Sequence, residues 1–125
     1  MSSSDPPQAL GPYTPVVRAG DWLICSGQLG VVDGRLVDGE VEDQVRQALA
    51  NLADLLHSQG ASLADVVKTT VFLADIGDFG AMNAAYVARF AELGAHRPAR
   101  SAFAVAALPL GALVEIEAWA YMGRR

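Results

Sequence analysis

Residues 112–122 read ALVEIEAWAYM, and the alternation within them decides the architecture. Successive side chains of a strand point to opposite faces of its sheet. Ala112, Val114, Ile116, Ala118 and Ala120 form a small or branched set suited to packing beneath helices. Leu113, Glu115, Glu117, Trp119 and Tyr121 form the other set, in which two acids stand among aromatics. Buried charges are expensive unless paired, so this second face belongs to another subunit or to a wet pocket rather than to a dry core.

Working outward, residues 101–110 are almost all apolar, predicting a strand over 100–107, a break at "LPLG" and the final strand over 112–122. Upstream the hydrophobic period changes. Val41, Val45, Ala48, Leu49, Leu52, Leu55 and Leu56 make one stripe of an amphipathic helix over 40–59, ended by Gly60. Glu40, Glu42 and Asp43 in its first turn complement the helix dipole. "SLAD" forms a short turn, and the β-branched run "VVKTTVFLAD" predicts a strand reaching about Asp75. Asp78 opens a second helix to about Leu93, with Phe79, Met82, Tyr86, Phe90 and Leu93 on its apolar stripe and Gly94 closing it. Before residue 40 the chain is mostly β: "VVRAGDWLICSG" reads as a hairpin around residues 19–21, and "VVDGRLV" carries the Asp-Gly hairpin signal. The expected fold is therefore α+β, with both helices on one face of a mixed sheet.

With 125 residues the chain suits a single domain, expected over 9–125 behind a Ser- and Pro-rich segment, 1–8, expected to be flexible. Its apolar surplus, 52% hydrophobic against 18% charged, favours burial of some surface between subunits. The formal charge of −5 disfavours nucleic acid and anionic membranes as partners. No run approaches the roughly twenty apolar residues of a membrane span, and the start lacks the apolar core of a signal peptide, so the cytoplasm is the expected compartment. One cysteine, Cys25, leaves no intrachain disulfide, and His57 and His96 stand far apart, so no metal site and no cofactor are expected. P-loop, dinucleotide and nucleophile-elbow motifs are lacking.

Several side chains carry chemistry of their own. Arg100 at a strand start either meets a substrate carboxylate through its fork or makes a structural ion pair, and spacing alone favours the ion pair. Glu115 is either a base that orients water or an exposed strand acid, and Glu117 shares its face. Asn83 on the polar flank of the second helix and Tyr13 on a Pro-fixed loop either line a pocket or serve as solvated and packing residues. "SGQ" at residues 26–28 offers Ser26 and Gly27 for close backbone approach to a ligand, or marks a bulge. Cys25, within an apolar strand, reads as a core residue rather than a nucleophile.

Taken in register, "GPYTPVV", "ICSGQLG", "QVRQALANLADLL", "GASLADVVKTTVFLADIGDFGAMNAAY" and "RPARSAFAVAALPLGALVEIEAWA" resemble the RidA (YjgF-type) family of reactive imine and enamine deaminases over residues 9–120. The resemblance implies a chorismate-mutase-like fold and a homotrimer with a central barrel, helices outside and active sites in the clefts between subunits. It implies hydrolysis of 2-imino or enamino acids, of the 2-iminobutanoate/2-iminopropanoate type, to 2-oxo acids and ammonia, without a cofactor. By similarity Arg100 binds the substrate carboxylate and Glu115 positions water, while Tyr13, Ser26, Gly27 and Asn83 line the pocket and Glu117 is structural. Ala102, where the family often has cysteine, and Pro15, where glutamine is frequent, depart from the pattern. Three other readings stand beside it: a non-catalytic binder of small carboxylates, a pathway-specific member acting on another imine or enamine, and nucleic-acid processing, which the acidic balance makes least suited.

Overall fold

The computed structural model describes residues 9, 11–94 and 96–123. Residues 1–8 and the basic C-terminal pair lie outside them. Strands β1 (Val16–Ala19) and β2 (Trp22–Leu29) form the first hairpin. A small ribbon follows, β3 (Val31–Val32) with β4 (Arg35–Leu36), around Asp33 (φ 52°) and Gly34 (φ 80°). Both central residues are left-handed, the twist that a two-residue hairpin loop requires.

Helix α1 (Val41–His57) buries its apolar stripe as its period predicts. Its start is fixed by Asp43, whose Oδ2 accepts the Glu40 backbone N–H at 2.9 Å. At its end the Gly60 N–H reaches the His57 carbonyl and the Ala61 N–H reaches that of Leu56, with Gly60 at φ 80°. That is the Schellman closure for which a left-handed glycine is suited. Strand β5 (Val66–Leu73) then leads through a turn into α2 (Phe79–Glu92). The turn is set by Asp75, whose Oδ1 accepts the Gly77 N–H at 2.8 Å, so the strand stops two residues before the predicted Asp75.

Strands β6 (Ala99–Ala104) and β7 (Val114–Tyr121) complete a five-stranded sheet in the order β1-β2-β7-β5-β6. β5 and β6 are parallel and all other pairs antiparallel. A parallel pair needs a long crossover, and α2 supplies it. The core lies between this sheet and the two helices: Leu23, Cys25, Val71, Ile116 and Ala118 from the sheet meet Leu49, Leu52, Tyr86 and Phe90.

Two further expectations needed correction. β6 ends at Ala104 rather than 107, because its partner β5 ends at Leu73, whose carbonyl takes the Val105 N–H as the last bond. The ends of the α2 stripe, Phe79 and Leu93, are exposed (37% and 40%), one being the first residue of the helix and the other its C-cap. Along β7 the predicted alternation holds residue by residue: Val114, Ile116, Ala118 and Ala120 are buried, and the opposite face carries Glu115, Glu117, Trp119 and Tyr121.

Candidate functional site

Arg100 stands on the edge strand β6, opposite Thr69 of β5. Thr69 is buried, so that register turns Arg100 toward the helices. Its guanidinium carbon lies 4.8 Å from the Tyr86 ring centroid and 5.7 Å from that of Phe79, with Nη1 3.9 Å from the Met82 sulfur. Tyr86 is itself locked, because its hydroxyl and the Thr69 Oγ1 are 2.6 Å apart and share a hydrogen bond. Burial raises the Tyr86 pKa, opposed by the Thr69 bond and the Arg100 charge, and the phenol stays neutral.

The ion pairs among the described residues are Arg46–Asp43 at 2.8 Å and Arg89–Glu92 at 3.9 Å. Arg100 joins neither. The structural ion pair favoured by spacing is thus not made within the described chain, and aromatic faces hold the guanidinium instead. They orient it without neutralising it, so its fork remains able to take a carboxylate. An open cleft of about 370 Å³ runs beside it, lined by Asn83, Tyr86, Val87, Arg97, Pro98 and Arg100.

Glu115 lies on the other face of the sheet. It pairs with Leu29 of β2, which carries a bulge between Cys25 and Gln28 that contains Ser26 and Gly27. A Cβ at Gly27 would fall 2.8 Å from the Glu115 Cδ and 2.9 Å from its Cγ. Glycine at 27 therefore makes the room in which the carboxylate rests, and both sequence alternatives, a bulge and a close approach, apply. The Ser26 hydroxyl donates to the Thr14 carbonyl at 2.8 Å and its N–H to that of Pro15 at 2.8 Å, tying the Tyr13 loop to β2. Burial first, and the neighbouring Glu117 charge second, push the Glu115 pKa up from its ordinary 4.5. Such a shift makes a better proton acceptor near neutrality.

The predicted residues thus fall into two groups. Arg100 and Asn83 share the cleft by α2, while Glu115, Gly27 and the loop bonded to Ser26 belong to the open face. Arg100 and Glu115 are not on neighbouring strands, although β6 and β7 are consecutive in the chain: β5 lies between them. Within one chain the two do not meet. Sequence reasoning missed Tyr86 and Thr69 as the cradle of Arg100, since Tyr86 fitted the apolar stripe; its hydroxyl, which needs a partner once buried, was the available signal. Arg97 in the cleft was also missed. Cys25 is buried, and burial pushes its thiol up to about 12, in keeping with a core role. Among the described residues no group of three or more His, Cys, Asp and Glu is arranged to hold a metal ion, and no helix is long and apolar enough to cross a membrane.

The chain matches the family model described as Endoribonuclease L-PSP over residues 3–122. It is 44% identical to the mouse (Mus musculus) protein named 2-iminobutanoate/2-iminopropanoate deaminase, covering 98% of this chain and 90% of that one. A RutC family protein of Pyrococcus horikoshii is 43% identical, over 92% of this chain and 90% of its own. Among solved structures, the Escherichia coli YjgF gene product superposes with a TM-score of 0.89 at 41% identity, covering 99% of this chain and 96% of that one. Escherichia coli TdcF with bound serine gives 0.88 at 36% identity, over 97% and 95%.

Proposed function

The chain belongs to the Endoribonuclease L-PSP family, the RidA (YjgF-type) group, and on that premise we propose that it is a 2-iminobutanoate/2-iminopropanoate-type deaminase working as a homotrimer. The observation that carries this reading is Arg100, a guanidinium held against aromatic rings at an open cleft with no carboxylate partner among the described residues. Relatives bearing the deaminase name support the substrate class.

In this reading Arg100 binds the carboxylate of the imino acid and fixes C2 in place. Glu115 accepts a proton from water as the water oxygen bonds to C2, and the π electrons of the protonated C=N bond move onto nitrogen. Glu115 returns that proton to the nitrogen, takes up the hydroxyl proton of the tetrahedral intermediate as the C–N bond breaks, and passes it to the departing ammonia. The products are a 2-oxo acid and ammonium, so atoms and charge balance. An iminium is already electrophilic, and the step needs neither metal nor covalent nucleophile.

Because Arg100 and Glu115 occupy opposite faces of one sheet, a complete site requires a second copy to bring its open face to the cleft. The half-exposed Trp119 and Tyr121, with Trp22 packed against both at 6.1 and 4.9 Å between centroids, support burial of that face in the assembly. The test generates iminopropanoate in situ with an amino-acid oxidase and follows its decay. Acceleration by wild type and its loss in Arg100→Ala are expected. No acceleration by wild type, or full rate in the variant, overturns the proposal.

A further inference from the structure

Two guanidiniums line the cleft, not one: Arg97 joins Arg100 beside Asn83, Val87 and Pro98, and no acid among the described residues lines it. Resting on the deaminase reading above, we infer that Arg97 is a specificity residue that selects 2-imino acids with a second carboxylate on the side chain, the imines of four- and five-carbon dicarboxylic amino acids. The chain has 14 acids against 9 basic residues, yet none of the acids pairs with either arginine among the described residues. Two like charges sharing one open cleft repel, and a dianion relieves that repulsion more than a monoanion does.

A substrate with one carboxylate occupies one fork and leaves the other unmatched. Arg100 is pre-set, and the backbone that carries Arg97 is restrained. Tyr86 and Phe79 orient Arg100, and the buried Pro98, whose ring fixes its own φ, holds the backbone between Arg97 and the start of β6. Val87 and Pro98 give the cleft an apolar wall for one or two methylenes between the acid groups. The reaction is unchanged: the C=N bond takes up one water, a C=O bond replaces it, and ammonium leaves.

The experiment compares imines released in situ from aspartate or glutamate and from alanine by matched amino-acid oxidases, in wild type, Arg97→Ala and Arg97→Lys, with the oligomeric state of each measured by light scattering. Arg97→Ala should lower the dicarboxylic-to-monocarboxylic ratio of kcat/KM about tenfold, the size of one charge-assisted hydrogen bond, and Arg97→Lys should restore part of it. Added salt should depress the dicarboxylic rate more steeply than the monocarboxylic one. An unchanged ratio in a folded Arg97→Ala protein overturns the assignment while leaving the deaminase reading intact. Dissociation of the oligomer by Arg97→Ala overturns it too, by giving Arg97 to a subunit contact. If wild type accelerates neither imine, the deaminase reading fails and this inference falls with it.

Discussion

At Gly27 a single methyl group separates a placed carboxylate from a displaced one. The atoms it would strike are the far end of the Glu115 side chain, which can swing aside. Gly27→Ala is therefore expected to cost little stability, within about 1 kcal/mol, while kcat falls at least tenfold, or about 1.4 kcal/mol of barrier; urea unfolding and imine decay measure the two. Glu115 itself gives a pH signature. Its folded pKa is raised above 4.5, by burial foremost, so the folded state binds the proton more tightly than the unfolded one. Stability is then highest with the group protonated and falls as pH rises from 4.5 through the raised value. Glu115→Gln should melt higher than wild type near about pH 7, with the gain shrinking toward about pH 4, although turnover is lost. Arg100 and Glu115 were visible in the sequence as charges on strands. Their surroundings were not, because the Tyr86 ring meets Arg100 from 14 positions away and is itself held by the Thr69 hydroxyl, 31 positions from Arg100, and local spacing carries no trace of such contacts.

The elements were the more readable scale. Period, caps and turn residues are local, so α1, α2 and the Asp-Gly ribbon came out close to their predicted limits. Sheet order is set by long-range pairing, and nothing in the strand sequences placed β7 between β2 and β5. Polar residues within α1 escaped notice for the same reason. Asn51, 5% exposed, donates to the carbonyls of Leu29 (3.0 Å) and Val31 (2.9 Å), and the Gln44 Oε1 accepts the Leu113 N–H at 2.9 Å. These bonds clamp the helix onto the end of β2, the start of β3 and the approach to β7. At that point a Cβ on Gly30 would lie 2.6 Å from the Gln44 Cα and 2.7 Å from its carbonyl oxygen. Backbone cannot swing aside as a carboxylate can. Gly30→Ala should thus destabilise by about 3 kcal/mol or more, read as a lowered urea midpoint, in contrast to Gly27→Ala.

For the whole molecule, the sequence placed Glu115 on one face of the last strand without saying on which side of the sheet Arg100 stands. The register answers that: Thr69 carries Arg100 to the helix side, and Phe72 stands beside Glu115 on the other. A site built from two copies makes a prediction that one chain cannot satisfy. Arg100→Ala and Glu115→Gln proteins, each inactive alone, should regain activity when unfolded together and refolded as mixed oligomers. Random assortment leaves about a quarter of the sites with both groups intact, so recovery of about a quarter of the wild-type rate is expected in the imine-decay assay. No recovery would place both groups of each site in one chain.

Cys25 lies in the core beneath the sheet, its thiol pushed up to about 12, and a residue with no sulfur, Ala102, stands two positions beyond Arg100. The sulfur nearest the guanidinium is the thioether of fully buried Met82. Electrophiles and peroxides attack exposed thiolates, and here they find none to attack. Amino-acid oxidases release peroxide together with the imines they form, so in the imine-decay assay that by-product meets no exposed thiolate on this chain.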